Sequence, residues 1–484
     1  MSDLASKYEL IVGLEVHIQL ATESKLFASD STAFGKNPNS NVSVITLAHP
    51  GTMPKLNRKA IEYAVRMGLA CNCEISRYCI FDRKNYFYPD LPKGFQTTQD
   101  KTPICIGGNV PVSLKNGNEV DVTLNRIHLE EDAGKSIHDE DSSDSMIDLN
   151  RAGVPLVELV TEPCIESSEV AMSFLTEIRK IVRYLEICDG NMEQGSLRCD
   201  ANISIRKKGD KKLGQKVEVK NMNSIRNVGR AIEYEFNRQI ELKENDDSII
   251  SETRLFDANT GTTSSMRTKE ELNDYRYFPE PDLSPFTVSE EWLKEIQNNM
   301  PATPGMKREK FISEFGLSPY DAGVLTDTKM TADYFENVCQ KTTHYKQVAN
   351  WIMGPIKSVI NEDDSDEPAL PITENQLVEL VEAIANGKLS HSLAMKKVFP
   401  ALVDSEKSIA ELLSELDVET VSQDDISDVI LKVVNAFPDK VKAYQNGKKN
   451  LLGMFMGEVM KQTHGKADPK KTNELLLEAL EKKN

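Results

Sequence analysis

The sequence predicts an α+β protein, with a β-rich region over residues 1–292, an all-α helical domain over 293–405 and a helical tail domain over 406–484. Three observations predict it. A chain of 484 residues exceeds what one hydrophobic core organises, which sets two or three domains. Period-two alternation of apolar and polar residues recurs through the first 280 positions, mixed irregularly with helical stretches. After Pro279-Glu280-Pro281-Asp282 the alternation stops and helical periodicity takes over.

The clearest strand lies at residues 8–20, where Leu14, Val16, Ile18 and Leu20 alternate with Glu15, His17 and Gln19. At period two those three polar side chains share one face. Similar runs lie at 119–130, 154–160, 200–206 and 215–219. Helical spacing interrupts them at 57–70, 167–187 and 223–243; the last has Asn223-Ser224 as its cap and Ile225, Val228, Ile232 and Phe236 as its apolar stripe. Further helices are expected at 290–299, 304–315, 319–327, 330–342, 344–361 and 376–385. The acidic stretch 361–367, followed by Pro368, reads as a solvated loop. A last helical segment runs from 406 to 484, and no internal repeat is evident.

With 39% apolar and 28% charged residues the chain reads as folded and globular, not disordered. No apolar run approaches the roughly 18 residues of a membrane helix. The N-terminal segment is too polar for the apolar core of a secretory signal. A cytoplasmic protein with no membrane association is expected. The net charge of −18 argues against nonspecific nucleic-acid binding by the whole surface, yet residues 432–471 hold nine lysines against three acids, a local basic patch. The eight cysteines are irregularly spaced and form no Cys-x-x-Cys pair, so reduced thiols are expected. The run Cys71, Cys73, Cys79 lacks a second ligand pair, and zinc is not expected.

Four polar clusters stand out. In Gly13-Leu14-Glu15-Val16-His17 a carboxylate and an imidazole sit at i, i+2 on one strand face, the spacing of two ligands to a metal or of a solvated face. In His128-Leu129-Glu130-Glu131-Asp132 three consecutive acids end a strand. At about 4 Å like charges repel by about 4 kcal/mol at an effective dielectric of 20, which either a hard cation such as Mg2+ or full hydration relieves. Gly134-Lys135-Ser136 imitates the end of a phosphate-binding loop, but Leu129 stands where its first glycine belongs. In Glu193-Gln194-Gly195-Ser196-Leu197-Arg198-Cys199-Asp200-Ala201-Asn202, period two puts Arg198, Asp200 and Asn202 on one face. In residues 81–90 charges alternate with aromatics, which offers Arg83 or Lys84 to a phosphate or carboxylate, or an ordered surface loop.

Each cluster alone is weakly specific; their order is not. The series GLEVHIQL, FDRKNYFYPDLPKGFQ, HLEEDAGK, DLNRAGVPLVE, EQGSLRCDANIS, VEVKNMNS, ETRLFD and DYRYFPEPDL resembles, block by block, the B subunits of tRNA-dependent glutamyl/aspartyl amidotransferases. The phrases VANWIMG and LLGMFMGEVMKQTHGKADP carry the resemblance to about residue 480.

The resemblance implies a β-rich cradle that is the catalytic domain, acting as kinase and transamidase, followed by the helical domain and a tRNA-gripping tail. It implies a ligase of translation, working in a heterotrimer with an amidase (A) subunit and a small C subunit. ATP would phosphorylate the side-chain carboxylate of Glu-tRNA(Gln) or Asp-tRNA(Asn), and ammonia from the partner would displace phosphate. Carried over by motif, Glu15 and His17 fall on the metal strand, and Glu130 and Glu131 match the acidic pair that completes a magnesium site. Lys84 and Arg151 would neutralise phosphate, with Arg198 also toward ATP. Glu193 or Asp200 would orient ammonia or a second metal. Lys448, Lys449, Lys461, Lys466, Lys470 and Lys471 would meet tRNA phosphate. The block TLAHPGTMPKLN, with His49, and Cys79 depart from the family's usual wording. The competing reading is a noncatalytic tRNA-binding scaffold, against which stand the Glu15/His17 and Glu130/Glu131 pairs.

Overall fold

The computed structural model describes residues 4, 6–138, 144–268, 275–362, 369–403, 405–416, 423–463, 467 and 469–481. It groups into two compact units, Met1–Pro304 and Gly305–Asn484.

In the first unit the chain forms β1 (Tyr8–Gln19), α1 (Arg58–Ala70), β2 (Asp82–Asn85), β3 (Phe95–Thr98), β4 (Glu119–Glu131), β5 (Pro155–Thr161), α2 (Ser168–Tyr184) and β6 (Leu197–Lys207). It continues through β7 (Val217–Lys220), α3 (Ile225–Glu244), β8 (Glu252–Asp257), β9 (Thr262–Thr268), β10 (Arg276–Pro279) and α4 (Glu290–Asn298). The large sheet runs β9-β8-β7-β6-β1-β5-β4 and is extended by the short strands Cys105–Ile106 and Glu74–Ile75. Its described pairings are antiparallel except β7 with β8. A second sheet is ordered β10-β2-β3.

The strand alternation read from the sequence decides which face is buried. Val12, Leu14, Val16 and Ile18 of β1 are buried, and join Val157, Leu159, Ala201 and Ile203 in one core. Each such valine, leucine or isoleucine side chain contributes roughly 1.5–3 kcal/mol when fully buried. Against that core pack the apolar faces of α2 (Phe174, Leu175, Ile178) and α3 (Val228, Ile232). The expected cap of α3 is present: Asn227 N donates to the Ser224 hydroxyl. Gly68 of α1 permits a close approach, since a Cβ there would stand 2.3 Å from Cys105 Sγ.

The change of texture near residue 290 does not end the first unit. Leu293 and Ile296 of α4 belong to its core, and the Arg58 guanidinium lies 4.3 Å from the Trp292 ring centroid. The compact unit therefore runs past the 292/293 boundary to Pro304.

The second unit is helical throughout its described residues. Phe311, Phe315, Phe335 and Tyr345 form an aromatic knot. The helix expected over 344–361 is there, but its middle, Ile352–Ile356, is widened into a π-turn around Pro355, which has no N–H to give the regular ladder. Toward the C-terminus Ile426, Ile430, Val433, Tyr444, Phe455, Val459, Leu476 and Leu480 make a separate apolar cluster. The acidic stretch read as a loop lies, from residue 363, outside the described residues. Among the described residues no helix is long and apolar enough to cross a membrane.

Candidate active site

One face of the large sheet is core; the other carries a row of ionisable side chains. Register builds it. Directly opposed residues in an antiparallel pair project to the same face. His17 lies opposite Glu158 of β5 and Arg198 of β6, and Glu15 lies opposite Asp200. Glu158 in turn faces His128 of β4, and Asn202 faces Glu218 of β7. The alternation of five strands thus adds up to a polar band that no one strand contains.

The band holds two groups able to take a metal ion. In the first, ligand atoms of His17, Glu130 and Glu158 lie within 4.8 Å of one another. His17 Nε2 is 3.3 Å from Glu158 Oε2, and His128 Nε2 is 3.5 Å from Glu130 and 3.6 Å from Glu158. Burial works to raise the Glu158 carboxyl, but His128, His17 and Lys84 outweigh it and hold it below the usual carboxylate range. Burial works to lower His17, and the Glu158 carboxylate, aided by Glu130, keeps it above the ordinary imidazole value.

In the second group Glu15, Asp200 and Glu218 offer three carboxylate oxygens within the same 4.8 Å span. Lys220 Nζ lies 2.5 Å from Asp200 Oδ2 and 2.9 Å from Glu218 Oε1, and the Asn202 amide donates to Glu15 Oε1 at 2.8 Å. Burial raises the Glu15 carboxyl, and Glu158, Glu218 and Asp200 add to that while Lys220 opposes. The all-carboxylate second group is a hard-oxygen donor set of the kind that holds Mg2+, Ca2+ or Mn2+, whereas the imidazole in the first group also suits softer divalent ions. His128 Nδ1 and Arg198 Nε are buried beside this row without a hydrogen-bond partner.

The remaining expected residues divide. Lys84 sits on β2 of the second sheet; burial works to lower its ammonium, but Glu130 and Glu158 are among the groups that raise it above its usual value, so it stands toward the first metal group. Arg83 is pleated to the other side, where Glu280 accepts two hydrogen bonds at 2.8 Å and Asp282 one at 2.9 Å. Arg198 donates to Asp132 Oδ2 at 2.8 Å, and Arg151 donates to the carbonyls of Ala133 and Gly134, 3.8 Å from the same carboxylate. Burial would raise Asp132, but Arg198, Arg151 and Gln19 hold it below its usual range. Glu193 is exposed in a turn where its N–H donates to Asn191 Oδ1, and it does not join the band.

Glu131 is the main correction. Expected to share a metal with Glu15 and His17, it is paired instead with Lys93 and accepts from Thr97 N at 2.8 Å. Consecutive strand residues point to opposite faces, so Glu130 enters the metal group and Glu131 leaves it. The repulsion that made three adjacent acids suggest one cation is relieved separately: Thr98 donates to Glu130, Lys93 to Glu131, and Arg198 with Gln19 to Asp132. On the Glu131 side lies a cavity of about 270 Å³ lined by Lys25, His49, Lys93 and Asp132 among others. Burial lowers the Lys25 ammonium to about 8.

Sequence reasoning did not single out Glu158, Glu218 and Lys220, and gave no role to His128, all of which register brings into this polar band. The signal was present, because Glu158 alternates with the buried Val157 and Leu159, and Glu218 with Val217 and Val219. Of the expected tail lysines, Lys448, Lys449 and Lys461 are exposed, with Lys449 Nζ 4.1 Å from the Tyr444 ring centroid. Lys470 and Lys471 fall in the helix Pro469–Glu481, and Lys466 lies outside the described residues.

Two family models match the chain: the GatB/GatE catalytic domain over residues 10–294 and the GatB domain over 333–480. Among relatives, the B subunit of the aspartyl/glutamyl-tRNA(Asn/Gln) amidotransferase of Thermodesulfovibrio yellowstonii is 49% identical, the match covering 98% of this chain and 99% of that one. The corresponding B subunits of Thermoanaerobacter pseudethanolicus (46% identical; 98% and 100% covered) and Syntrophotalea carbinolica (44%; 99% and 99%) match over the same extent.

Proposed function

The chain belongs to the family of aspartyl/glutamyl-tRNA(Asn/Gln) amidotransferase B subunits, and on that premise we propose that it amidates misacylated Glu-tRNA(Gln) or Asp-tRNA(Asn) at the polar band. The observation that carries the reading is the pair of adjoining carboxylate groups on one sheet face with Lys84 set toward them. A scaffold has no physical reason to gather five like-charged groups; a site that handles polyphosphate does.

In this reading a side-chain carboxylate oxygen of the tRNA-bound amino acid attacks the γ-phosphorus of ATP, and ADP leaves. Ammonia then attacks the acyl carbon, and phosphate leaves with the bonding pair. Phosphoryl transfer asks mainly for positioning and charge neutralisation. His17, Glu130 and Glu158 would hold one Mg2+, and Glu15, Asp200 and Glu218 a second. The bound ion supplies charge neutralisation at phosphate and carboxylate oxygens. Lys84 orients and neutralises a phosphoryl oxygen, and Arg198, held by Asp132, adds positive charge to the row. Asn202 and Lys220 keep the second carboxylate group in place. Arg151 positions Asp132 rather than meeting phosphate directly.

The relatives are named as subunits, and the chain is proposed to work with an amidase (A) subunit supplying ammonia and a small C subunit, while exposed Lys448, Lys449 and Lys461 meet the tRNA backbone. The test is a reconstituted complex given γ-labelled ATP and Glu-tRNA(Gln) without an ammonia source. Label on the aminoacyl carboxylate supports the reading; amide formed on adding ammonia without ATP, or no label at all, rejects it in favour of the scaffold.

A further inference from the structure

The second sheet carries Tyr277 and is flanked by Tyr86, just after β2, and Tyr275, just before β10, three tyrosines that the steps above do not use. Lys84 and the following Tyr86 share one side by period two. On β10, Tyr277 lies opposite Lys84 in antiparallel register, and Tyr275, just before the strand, also reaches Lys84. The side chains meet accordingly. Lys84 Nζ is 4.8 Å from the Tyr275 ring centroid and 5.6 Å from that of Tyr86, and the Tyr86 and Tyr275 rings pack edge to face at 5.3 Å and 64°.

Their burial separates their roles. Tyr86 is partly buried and its hydroxyl donates to Gln96 at 3.4 Å, so it props the wall from behind. Tyr275 and Tyr277 keep 39% and 40% of their surface open. Two large rings left that exposed, one on β10 and one immediately before it, beside a cation whose charged neighbours are Glu130 and Glu158, offer flat apolar surface one side chain away from the first metal group. A ligand that reaches from that group past Lys84 to these rings is anionic at one end and flat and aromatic at the other. That is the build of a nucleotide, and stacking on aromatic side chains is how proteins hold bases without reading them closely.

We propose that Tyr275 and Tyr277 form a stacking platform for an adenine ring, either that of ATP or that of the 3′-terminal adenosine of the charged tRNA. The assignment rests on the proposed function, since it identifies what the same site holds beyond its phosphates. Stacking needs the ring and not the hydroxyl. Phenylalanine therefore replaces either tyrosine without loss, whereas leucine, similar in volume but not flat, does not.

The experiment uses the reconstituted complex with Tyr275→Leu, Tyr277→Leu and the two Phe counterparts, and reads KM for ATP and for the charged tRNA separately, with kcat. Each Leu variant raises one of the two KM values about tenfold, as expected for loss of base stacking, and each Phe variant stays within twofold. The constant that rises names the source of the adenine. Both constants staying within twofold in Leu variants that melt like the parent overturns the platform. A second measurement needs no variant: 2-aminopurine, as the riboside triphosphate or at the 3′ end of the tRNA, loses emission when stacked. Quenching in one arm supports the assignment, and full emission in both overturns it. If the parent complex makes no amide, the proposed function fails, and the fluorescence arms still decide the platform.

Discussion

Replacing Glu130 or Glu131 by glutamine tests whether strand geometry, rather than adjacency in sequence, selects the metal ligands. The ligand atoms of His17, Glu130 and Glu158 lie within 4.8 Å of one another. An ion held among them touches each ligand atom, so replacing the charged carboxylate by the neutral amide of glutamine, which keeps an oxygen at the same place, removes a charge-assisted contact worth on the order of 3 kcal/mol, about a hundredfold in affinity. Glu131 acts from the opposite face, where Lys93 neutralises its charge, so its removal changes ion binding by less than about 1 kcal/mol, at most about fivefold. Isothermal titration of the purified complex with Mn2+, a stand-in for Mg2+, reads both numbers without needing activity. Equal weakening by the two substitutions, or none by Glu130→Gln, would refute the face assignment.

Glu131→Gln has its own expected effect: it breaks the Lys93 pair beside the cavity and lowers stability to urea by about 2 kcal/mol, the scale of a lost hydrogen bond to a charged group. The Asp132 carboxyl is held below its ordinary range, so its contribution is full above about pH 4 and disappears as pH falls through the depressed value. Urea midpoints of the parent and Asp132→Asn should therefore converge on acidification, and a constant gap from pH 6 to 3 contradicts this. His17 is held above its ordinary value, so its charged form contributes fully below about pH 6.5 and the contribution is lost as pH rises through the folded value. Mn2+ binding, which needs the neutral imidazole, strengthens over that same rise, and His17→Gln flattens the dependence. In the tail, changing Lys448, Lys449 and Lys461 together to glutamine should lower the salt slope of tRNA binding by up to about 3, and removing residues 406–484 should raise KM for charged tRNA far more than for ATP; an unchanged slope excludes these lysines as phosphate contacts.

The sequence by itself determined the α+β class, five of the strands of the large sheet, and the shared face of Glu15, His17 and Gln19, because period two is a property of the strand alone. It also carried the family, through the order of its blocks. What it left open was which residues meet across strands. Glu158 and Glu218 look like ordinary polar positions in alternating runs until register sets them opposite His128 and Asn202. Glu130 and Glu131 read as one acidic pair until the pleat sends them to opposite faces. Glu193, close in sequence to Arg198 and Asp200, is left in an exposed turn because the strand begins only at Leu197. The first unit likewise runs on through α4, since packing of Leu293 and Ile296 and not helical texture fixes where a core ends. Local chemistry is written along the chain; the partners of each charge are fixed by hydrogen-bond register between separate segments, and that register exists only once the sheet has formed.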